Sequence, residues 1–325
     1  MSKIAVGIDI GATYTKYGLI DPKGKVILSD KIETSQDPDI DIYLQNIHKA
    51  ITDAFDSQSD AVELIGIGIG APNANYYKGN IENAPNLVWK GIVPFVELMK
   101  NYFDVPILLT NDANAAAIGE MTYGAAEGMD DFVVITMGTG LGSGIVSNGE
   151  VVYGYTGFAG EIGHTTVNYN GRYCGCGRRG CLETYVSATG IKRTVYKLVA
   201  DFLDDSELRG ISFDNLSTKM ITTAAQRGDK IAIEAFKYTG RILGIKLCET
   251  IVHTNPEAIF LSGGLSKAGE LIFEPVRTHL EAQVMPRFKG RTKILPSGLE
   301  GQYAAILGAA SLIWNRNIKE NSVDD

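Results

Sequence analysis

Ile8-Asp9-Ile10-Gly11-Ala12-Thr13-Tyr14-Thr15-Lys16 is the stretch of sequence that decides the fold. It joins an apolar run that begins at Ile4 to a second apolar run that ends at Ile20, and both are typical of strands. A dinucleotide fingerprint needs its glycine loop to open a helix, whereas this one leads into a strand. The pattern therefore predicts a β-hairpin whose backbone N–H groups could cradle phosphate oxygens, although a plain hairpin would read the same way.

The same arrangement recurs at residues 131–152. A strand from Phe132 to Thr136 is followed by the glycine-rich turn Gly138 to Gly144 and then by a further strand and a tight turn at Asn148-Gly149. A weak internal repeat of this kind predicts two similar α/β halves, each with its own glycine turn.

Strands and helices alternate along the rest of the chain, which indicates the α/β class. A long helix is predicted over about 231–253, and Gly240 and Gly244 lie four residues apart in it, so another element can approach closely there. The tail from Tyr303 to Trp314 also has a helical pattern.

A carboxylate stands where a buried strand meets a helix. The apolar run 107–110 precedes Asn111-Asp112, and an alanine-rich helix is predicted from Ala113 to Tyr123. Asp112 could be the N-cap of this helix, because short acidic side chains are common at that position. It could also be a catalytic group.

The charge balance excludes whole classes of partner. With 30 basic and 38 acidic residues the net charge is −8, which argues against nucleic-acid binding and against an anionic membrane surface. The N-terminal residues do not resemble a signal peptide, and no apolar run approaches membrane-spanning length, so we expect a cytoplasmic protein. An anionic ligand would have to be held by backbone dipoles and bound metal.

Three of the four cysteines lie between positions 174 and 181. With His164 they form a set of one histidine and three thiols, Cys174, Cys176 and Cys181, which is a common shell for tetrahedral zinc. Because the protein would supply all four ligands, we expect a structural zinc rather than a catalytic one. Loose reduced thiols on a surface loop are the alternative.

These motifs, taken together, resemble the ROK family (repressors, open reading frames and kinases), and within it the zinc-containing glucokinases. The match runs in order over nearly the whole chain. It is carried by Asp9-Ile10-Gly11-Ala12-Thr13-x-x-Lys16, Ala84-Pro85-Asn86, Asn111-Asp112-Ala113-Asn114-Ala115, Gly138-Thr139-Gly140-x-Gly142, Glu161-Ile162-Gly163-His164, Cys174-x-Cys176-Gly177-x-x-Gly180-Cys181-x-Glu183 and Leu261-Ser262-Gly263-Gly264.

The resemblance implies the actin-like ATPase fold shared with hexokinases, in which two similar α/β domains close over a cleft. We expect a small domain at 1–118 plus 301–325, completed by a returning C-terminal helix, and a large domain at 119–300 that carries the zinc loop. The resemblance also favours a homodimer.

The resemblance implies an ATP-dependent kinase that phosphorylates the 6-hydroxyl of a hexose, with glucose as the expected sugar and Mg²⁺ at the phosphates. Asp112 would be the general base. The sugar hydroxyls would be bound by Asn86, Asn111, Asp112, Glu161, His164 and Glu183. The nucleotide and its metal would be held by Asp9, Gly11, Thr13, Lys16, Gly138, Thr139, Gly140, Gly263 and Gly264.

Two alternatives stay open on these residues. The same motifs would serve a kinase for N-acetylmannosamine, N-acetylglucosamine or fructose. A sugar-sensing regulator of the family is disfavoured, because Asp9 comes too early for a preceding DNA-binding helix-turn-helix and the net charge is negative. One departure bears on the choice of sugar: Asn73 stands in Gly70-Ala71-Pro72-Asn73 where many members have a second glycine.

Overall fold

The computed structural model describes residues 2–34, 36–58, 62–299, 301 and 303–321, with side chains up to 315. By internal contacts the chain forms two compact units. The first comprises Met1–Met129, Glu150–Ala159 and Ser297–Asp325, and the second comprises Asp130–Gly149 and Gly160–Pro296. The predicted large domain, 119–300, included residues 150–159, which here contact the first unit. The predicted domain limits stay a prediction.

Eight strands of the first unit lie in the described part of the chain before residue 112. They are, in chain order, β1 (Ser2–Ile10), β2 (Tyr14–Ile20), β3 (Val26–Glu33), β4 (Val62–Ala71), β5 (Ala74–Asn75), β6 (Asn80–Glu82), β7 (Ile92–Val93) and β8 (Ile107–Asn111). The helices of this part are α1 (Ile40–Asp56), α2 (Phe95–Met99) and α3 (Asp112–Tyr123).

The rest of the chain completes both units. Its strands are β9 (Phe132–Met137), β10 (Leu141–Ser147), β11 (Glu150–Val151), β12 (Ala258–Ser262) and β13 (Lys293–Pro296). Its helices are α4 (Ala188–Asp201), α5 (Thr218–Gln226), α6 (Lys230–Thr254), α7 (Glu270–Gln283) and α8 (Ala304–Asn321). Within the described residues, no helix is both long enough and apolar enough to span a bilayer.

The two main sheets repeat one topology. In the first unit the order is β3-β2-β1-β4-β8, with β1 antiparallel to β2 and parallel to β4, which is parallel to β8. In the second unit β10, β9, β12 and β13 lie side by side, with β9 antiparallel to β10 and parallel to β12, which is parallel to β13. The repeat predicted from the two glycine turns is therefore confirmed.

Helix α8 lies directly on the first sheet. A Cβ added to Gly7 of β1 would stand 2.0 Å from the carbonyl oxygen of Ile306, and one added to Gly68 of β4 would stand 1.9 Å from that of Ala309. The helix backbone thus comes closer to the strands than any side chain would allow, because glycine has no Cβ. Ala310 and Ile313 of α8 add to the core on this face.

A similar close approach joins α6 and α7 in the second unit. A Cβ on Gly240 would stand 2.6 Å from Pro275 Cγ, and one on Gly244 would stand 2.5 Å from the carbonyl oxygen of Val276. The predicted role of this glycine pair is confirmed. Asn255 caps the C-terminal end of α6 and takes the left-handed conformation with φ 45° that is common at helix ends.

We predict that Gly68→Ala lowers the stability of the protein markedly. The new methyl group would collide with the α8 backbone, and overpacking of this kind costs about 1–3 kcal/mol or more. Gly70→Ala is the matched control on the same strand, because a Cβ there would meet its nearest neighbour at 3.4 Å, an ordinary contact. Equal midpoints of urea unfolding for the two variants would contradict the prediction.

Candidate active site and metal centre

The first glycine turn connects β1 to β2 through residues 11–13. The N–H of Gly11 donates to the carbonyl oxygen of Tyr14 at 3.1 Å and closes the turn. Ala12 and Thr13 are exposed, and we find no protein acceptor for their N–H groups among the described residues. These two amides are therefore available to an anionic ligand.

Asp9 lies next to this turn, near the end of β1. Burial, and then the charge of Asp112, raise the pKa of its carboxyl, the charge of Lys16 lowers it, and the net value is about 6. Lys16 faces Asp9 across the hairpin, because the two residues are register partners in β1 and β2. The first unit thus brings together three of the predicted site residues.

Asn111 and Asp112 stand where β8 gives way to α3. The Oδ1 of Asn111 accepts a hydrogen bond from the N–H of Ala113 at 2.9 Å, so Asn111 is the N-cap of the helix. Asp112 is the first residue inside the helix, and its Oδ1 accepts from the same N–H at 2.8 Å. The capping role considered for Asp112 thus belongs mainly to its neighbour.

The carboxylate of Asp112 is accessible yet has a perturbed pKa. The residue is exposed to solvent, but the protein around it limits hydration and thereby raises the pKa of Asp112, while the hydrogen bond from Ala113 acts in the opposite direction. A carboxylate in such surroundings accepts a proton more readily than one in free solution.

The second glycine turn, residues 138–140, is held in place by hydrogen bonds to other parts of the second unit. Its Gly138 carbonyl accepts from the N–H of Ala188 at 2.8 Å, and the N–H of Leu141 donates to Oε2 of Glu183 at 3.0 Å. A Cβ on Gly138 would meet nothing within 4 Å, whereas one on Gly140 would stand 2.4 Å from Glu183 Oε2. Gly140 therefore makes room for Glu183, and Gly138 leaves open space for a ligand.

Gly263 and Gly264 follow β12 and pack beside the second turn. Gly263 has φ 91°, and a Cβ there would stand 2.6 Å from the carbonyl oxygen of Met137. That same carbonyl accepts from the N–H of Leu265 at 3.2 Å. The structure therefore brings the two predicted nucleotide segments of the second unit together.

The predicted zinc ligands form one cluster. The candidate donor atoms of His164, Cys174, Cys176 and Cys181 all lie within 4.8 Å of one another. His164 Nδ1 is 3.6 Å from Cys174 Sγ, and the sulfurs of Cys176 and Cys181 are also 3.6 Å apart. Tetrahedral zinc with ordinary Zn–S and Zn–N bonds separates its ligands by about 3.5–3.8 Å, so the donor set fits the ion.

The loop around this cluster depends on glycine. Gly177 and Gly180 have φ 86° and 73°, which is the left-handed region. A Cβ on Gly180 would stand 1.7 Å from the carbonyl oxygen of Asn168, so no larger residue fits there. The donors reach one another because the chain can turn this tightly.

Two predicted sugar ligands adjoin the metal donors. His164 offers Nδ1 to the cysteines, and its Nε2 lies 3.8 Å from Oε2 of Glu161. Glu183 accepts from Cys174 Sγ through Oε1 at 3.6 Å and from the Leu141 N–H through Oε2. The second unit therefore gathers Glu161, His164 and Glu183, with one ring nitrogen of His164 outside the thiol cluster.

Asn86 and Asn73 complete the positions named from the sequence. Asn86 is exposed in a turn of the first unit. Asn73 has φ 52°, a conformation that asparagine tolerates better than most residues, and its Nδ2 donates to the carbonyls of Glu82 at 3.1 Å and Asn83 at 3.2 Å. The amide that replaces the family glycine is therefore bound to nearby backbone.

Sequence analysis did not single out Ser143, which supports the site. Ser143 is buried in β10, its hydroxyl donates to the carbonyl of Gly160, and its oxygen accepts from the N–H of Ile162 at 3.2 Å. It holds the chain on both sides of Glu161. The only signal was a hydroxyl among the glycines of 140–144, which reads equally well as part of a loop.

Comparison of the sequence with known proteins identifies its family. The ROK family model matches residues 5–316. The chain belongs to the ROK family. It is 35% identical to a glucokinase of Halalkalibacterium halodurans, over 98% of this chain and 96% of that one. It is 32% identical to a xylose repressor of Bacillus subtilis, over 95% of this chain and 76% of the repressor.

A solved ROK-family structure shows the same architecture. A glucokinase from Streptomyces griseus, in complex with glucose and AMPPNP, superimposes with a TM-score of 0.78 and 31% identity. The match covers 95% of this chain and 98% of the other. The protein therefore has the actin-like sugar-kinase fold that was predicted from its motifs.

We predict one zinc ion per chain, which elemental analysis of the purified protein would measure. Cys176→Ser should lower the zinc content and the thermal midpoint, because a serine hydroxyl is a poor replacement for a thiolate ligand. Cys248→Ser is the matched control, since Cys248 lies in α6 outside the cluster. A fully stable protein without zinc would contradict the assignment.

We also predict that Asp9→Asn stabilises the metal-free protein at pH 7.5 by about 2–3 kcal/mol. The folded carboxyl has a pKa of about 6, whereas the ordinary value is 3.8, so between these values the folded state binds more protons and wild-type stability falls as pH rises. As the pH falls towards and below 3.8 the carboxyl becomes protonated in both states, so most of the gain should be lost by pH 4. Urea unfolding at pH 4 and 7.5 measures it, and an equal gain at both would refute it.

Proposed function

We propose that the protein is an ATP-dependent hexose kinase that transfers the γ-phosphoryl group of ATP to the 6-hydroxyl of glucose. The observation that carries the proposal is the accessible carboxylate of Asp112, which has a raised pKa and lies near Asp9. It is found in a chain that belongs to the ROK family. Similarity to glucokinases over almost the full chain supports the choice of reaction.

In this proposal Asp112 accepts the proton of the sugar hydroxyl as that oxygen attacks the γ-phosphorus. Phosphoryl transfer needs little covalent help from a protein and depends on positioning and charge stabilisation. The open amides of the Gly11–Thr13 turn and the space at Gly138 are suited to phosphate oxygens, together with Thr139 and Gly140. Gly263 and Gly264 would lie near the adenosine.

The negative charges of the phosphates would be balanced by Lys16 and by Mg²⁺. A carboxylate oxygen is the ligand that Mg²⁺ prefers, so Asp9 would hold the ion or a water bound to it. When bound, Mg²⁺ neutralises charge on the phosphate oxygens. Metal binding would also favour the ionised form of Asp9, whose pKa is raised without it.

The sugar would be bound by Asn86, Asn111, Glu161, His164 and Glu183. Zinc on Nδ1 of His164 would keep that nitrogen deprotonated, so Nε2 would carry the ring proton and act as a hydrogen-bond donor. The zinc would thus be structural and yet orient a sugar ligand. A polar ring of this kind rejects epimers, because a misplaced hydroxyl leaves buried groups unpaired.

A sugar-sensing regulator is the second candidate function, because a xylose repressor is also similar to almost the whole chain. A kinase for another hexose or an amino sugar is the alternative within the same reaction. A coupled assay of ADP release across a panel of sugars separates all three. A homodimer and a cytoplasmic location belong to the same proposal and rest on the resemblance.

We predict that Asp112→Asn lowers kcat by about 10²- to 10⁴-fold, which is the usual loss on removal of a general base. Sugar affinity should change far less, since the amide keeps the shape of the side chain. Asp104→Asn makes the same chemical change at an exposed position and should behave like the wild type. Steady-state kinetics with glucose would measure both variants, and near-normal kcat for Asp112→Asn would rule out this base.

A further inference from the structure

Three buried hydroxyl groups lie in a row behind the first glycine turn. Tyr43 of α1 and Thr15 of β2 are fully buried, and Thr34, which follows β3, is 3% exposed. The hydroxyl oxygens of Tyr43 and Thr15 are 2.9 Å apart, and those of Thr15 and Thr34 are 3.0 Å apart. The hydroxyl of Thr34 then donates to the carbonyl oxygen of Gly11 at 2.7 Å.

The direction of this chain of hydrogen bonds follows from the carbonyl at its end. A carbonyl oxygen can only accept, so the single proton of Thr34 is used on Gly11. The contact between Thr15 and Thr34 therefore requires Thr15 to donate. The proton of Thr15 is then used as well, and Tyr43 must donate to Thr15.

Tyr43 can act as the permanent first donor. Burial raises the pKa of its phenol, the hydrogen bond to Thr15 lowers it, and the charge of Asp9 raises it again, for a net rise above the ordinary value of 10. The phenol therefore keeps its proton throughout the neutral range. In a buried, fully satisfied chain each hydrogen bond polarises the next.

The chain of hydroxyls fixes the orientation of an amide in the turn. In a trans peptide the C=O of one residue and the N–H of the next point in opposite directions across one plane. Because Thr34 holds the oxygen of Gly11, the N–H of Ala12 must point away from Thr34. The N–H of Thr34 also donates to the carbonyl of Thr13 at 2.9 Å, which fixes the peptide between Thr13 and Tyr14 at the other end of the turn.

We propose that Thr34 is the positioning residue of the phosphate-binding turn, and that Thr15 and Tyr43 support it through this relay. The inference rests on the proposed function, since it takes a nucleotide phosphate as the ligand of the turn. Thr34 does not contact the ligand. It holds the N–H of Ala12 in the orientation that an anion needs, before the anion arrives.

Thr34→Val tests the proposal, because valine keeps the shape of threonine and removes the hydroxyl. The KM for ATP, and the Kd for ATP from calorimetry, should rise about 5- to 30-fold, as expected when a buried carbonyl loses its partner. The KM for the sugar should stay within about twofold. Thr34→Ser restores a hydroxyl at the same place and should recover most of the affinity for ATP.

Thr292→Val is the matched control. Thr292 is also a buried threonine whose hydroxyl donates to one backbone carbonyl, that of Pro256 at 2.9 Å, and none of the predicted site residues is involved. Its variant should lose stability without any change in the KM for ATP. Tyr43→Phe removes only the first donor of the relay, so it should raise the KM for ATP less than Thr34→Val does, and it serves if Thr34→Val fails to fold.

The outcomes separate this inference from the proposed function. If the wild type binds ATP and Thr34→Val and Tyr43→Phe bind it equally well, the relay has no positioning role while the kinase stands. An equal rise of both KM values, or a rise that Thr34→Ser does not reverse, would likewise overturn it. If the wild type binds ATP without phosphorylating any sugar, the proposed reaction fails and the Kd values still decide on the relay. A wild type that does not bind ATP would overturn both.

Discussion

A turn that binds an anion in an acidic protein has to keep backbone N–H groups free of protein partners. With a net charge of −8, this chain has no general positive field to attract phosphate, so in the proposed kinase the dipoles of the turn would supply the attraction locally. The rest of the first unit can be understood from this requirement. The Gly11 amide closes the hairpin, Lys16 stands opposite Asp9, and Ala12 and Thr13 are exposed, with no acceptor for their N–H groups in the part of the chain that the structure describes.

The second unit meets the same requirement with different side chains. Its turn is held by hydrogen bonds to the N-terminal residue of α4 and to Glu183, which also accepts from Cys174, one of the predicted zinc ligands. Gly140 is needed so that this carboxylate can approach. One side chain therefore contacts both the cysteine loop and the glycine turn, so the shapes of the two depend on each other.

Much of the fold could be predicted because its signals are local. The hairpins, the repeated topology and the close contact at Gly240 and Gly244 follow from turn residues and apolar spacing over short stretches. Helix α7 was passed over, and its interior Pro275 is a residue that normally argues against a helix.

The site was predictable in part, for the same reason. The zinc donors and Asn111-Asp112 were named because short motifs carry them, and the donors do come together. Local pattern could not decide which of Asn111 and Asp112 caps α3, since both are good caps and only the backbone distinguishes them: Asn111 is extended and Asp112 is the first helical residue. It also gave no sign of Thr34, which reaches Gly11 from 23 positions away in the chain.

The position of α8 has a consequence for how the protein is made. The strands β1 and β4 leave the ribosome early, but the helix that covers them and fits their glycines is formed by residues 304–321. At typical rates of synthesis, the first strands wait roughly 15–60 seconds for this partner. During that time an apolar sheet face stays uncovered on the nascent chain, so the first unit cannot finish folding until residues 304–321 have been synthesised.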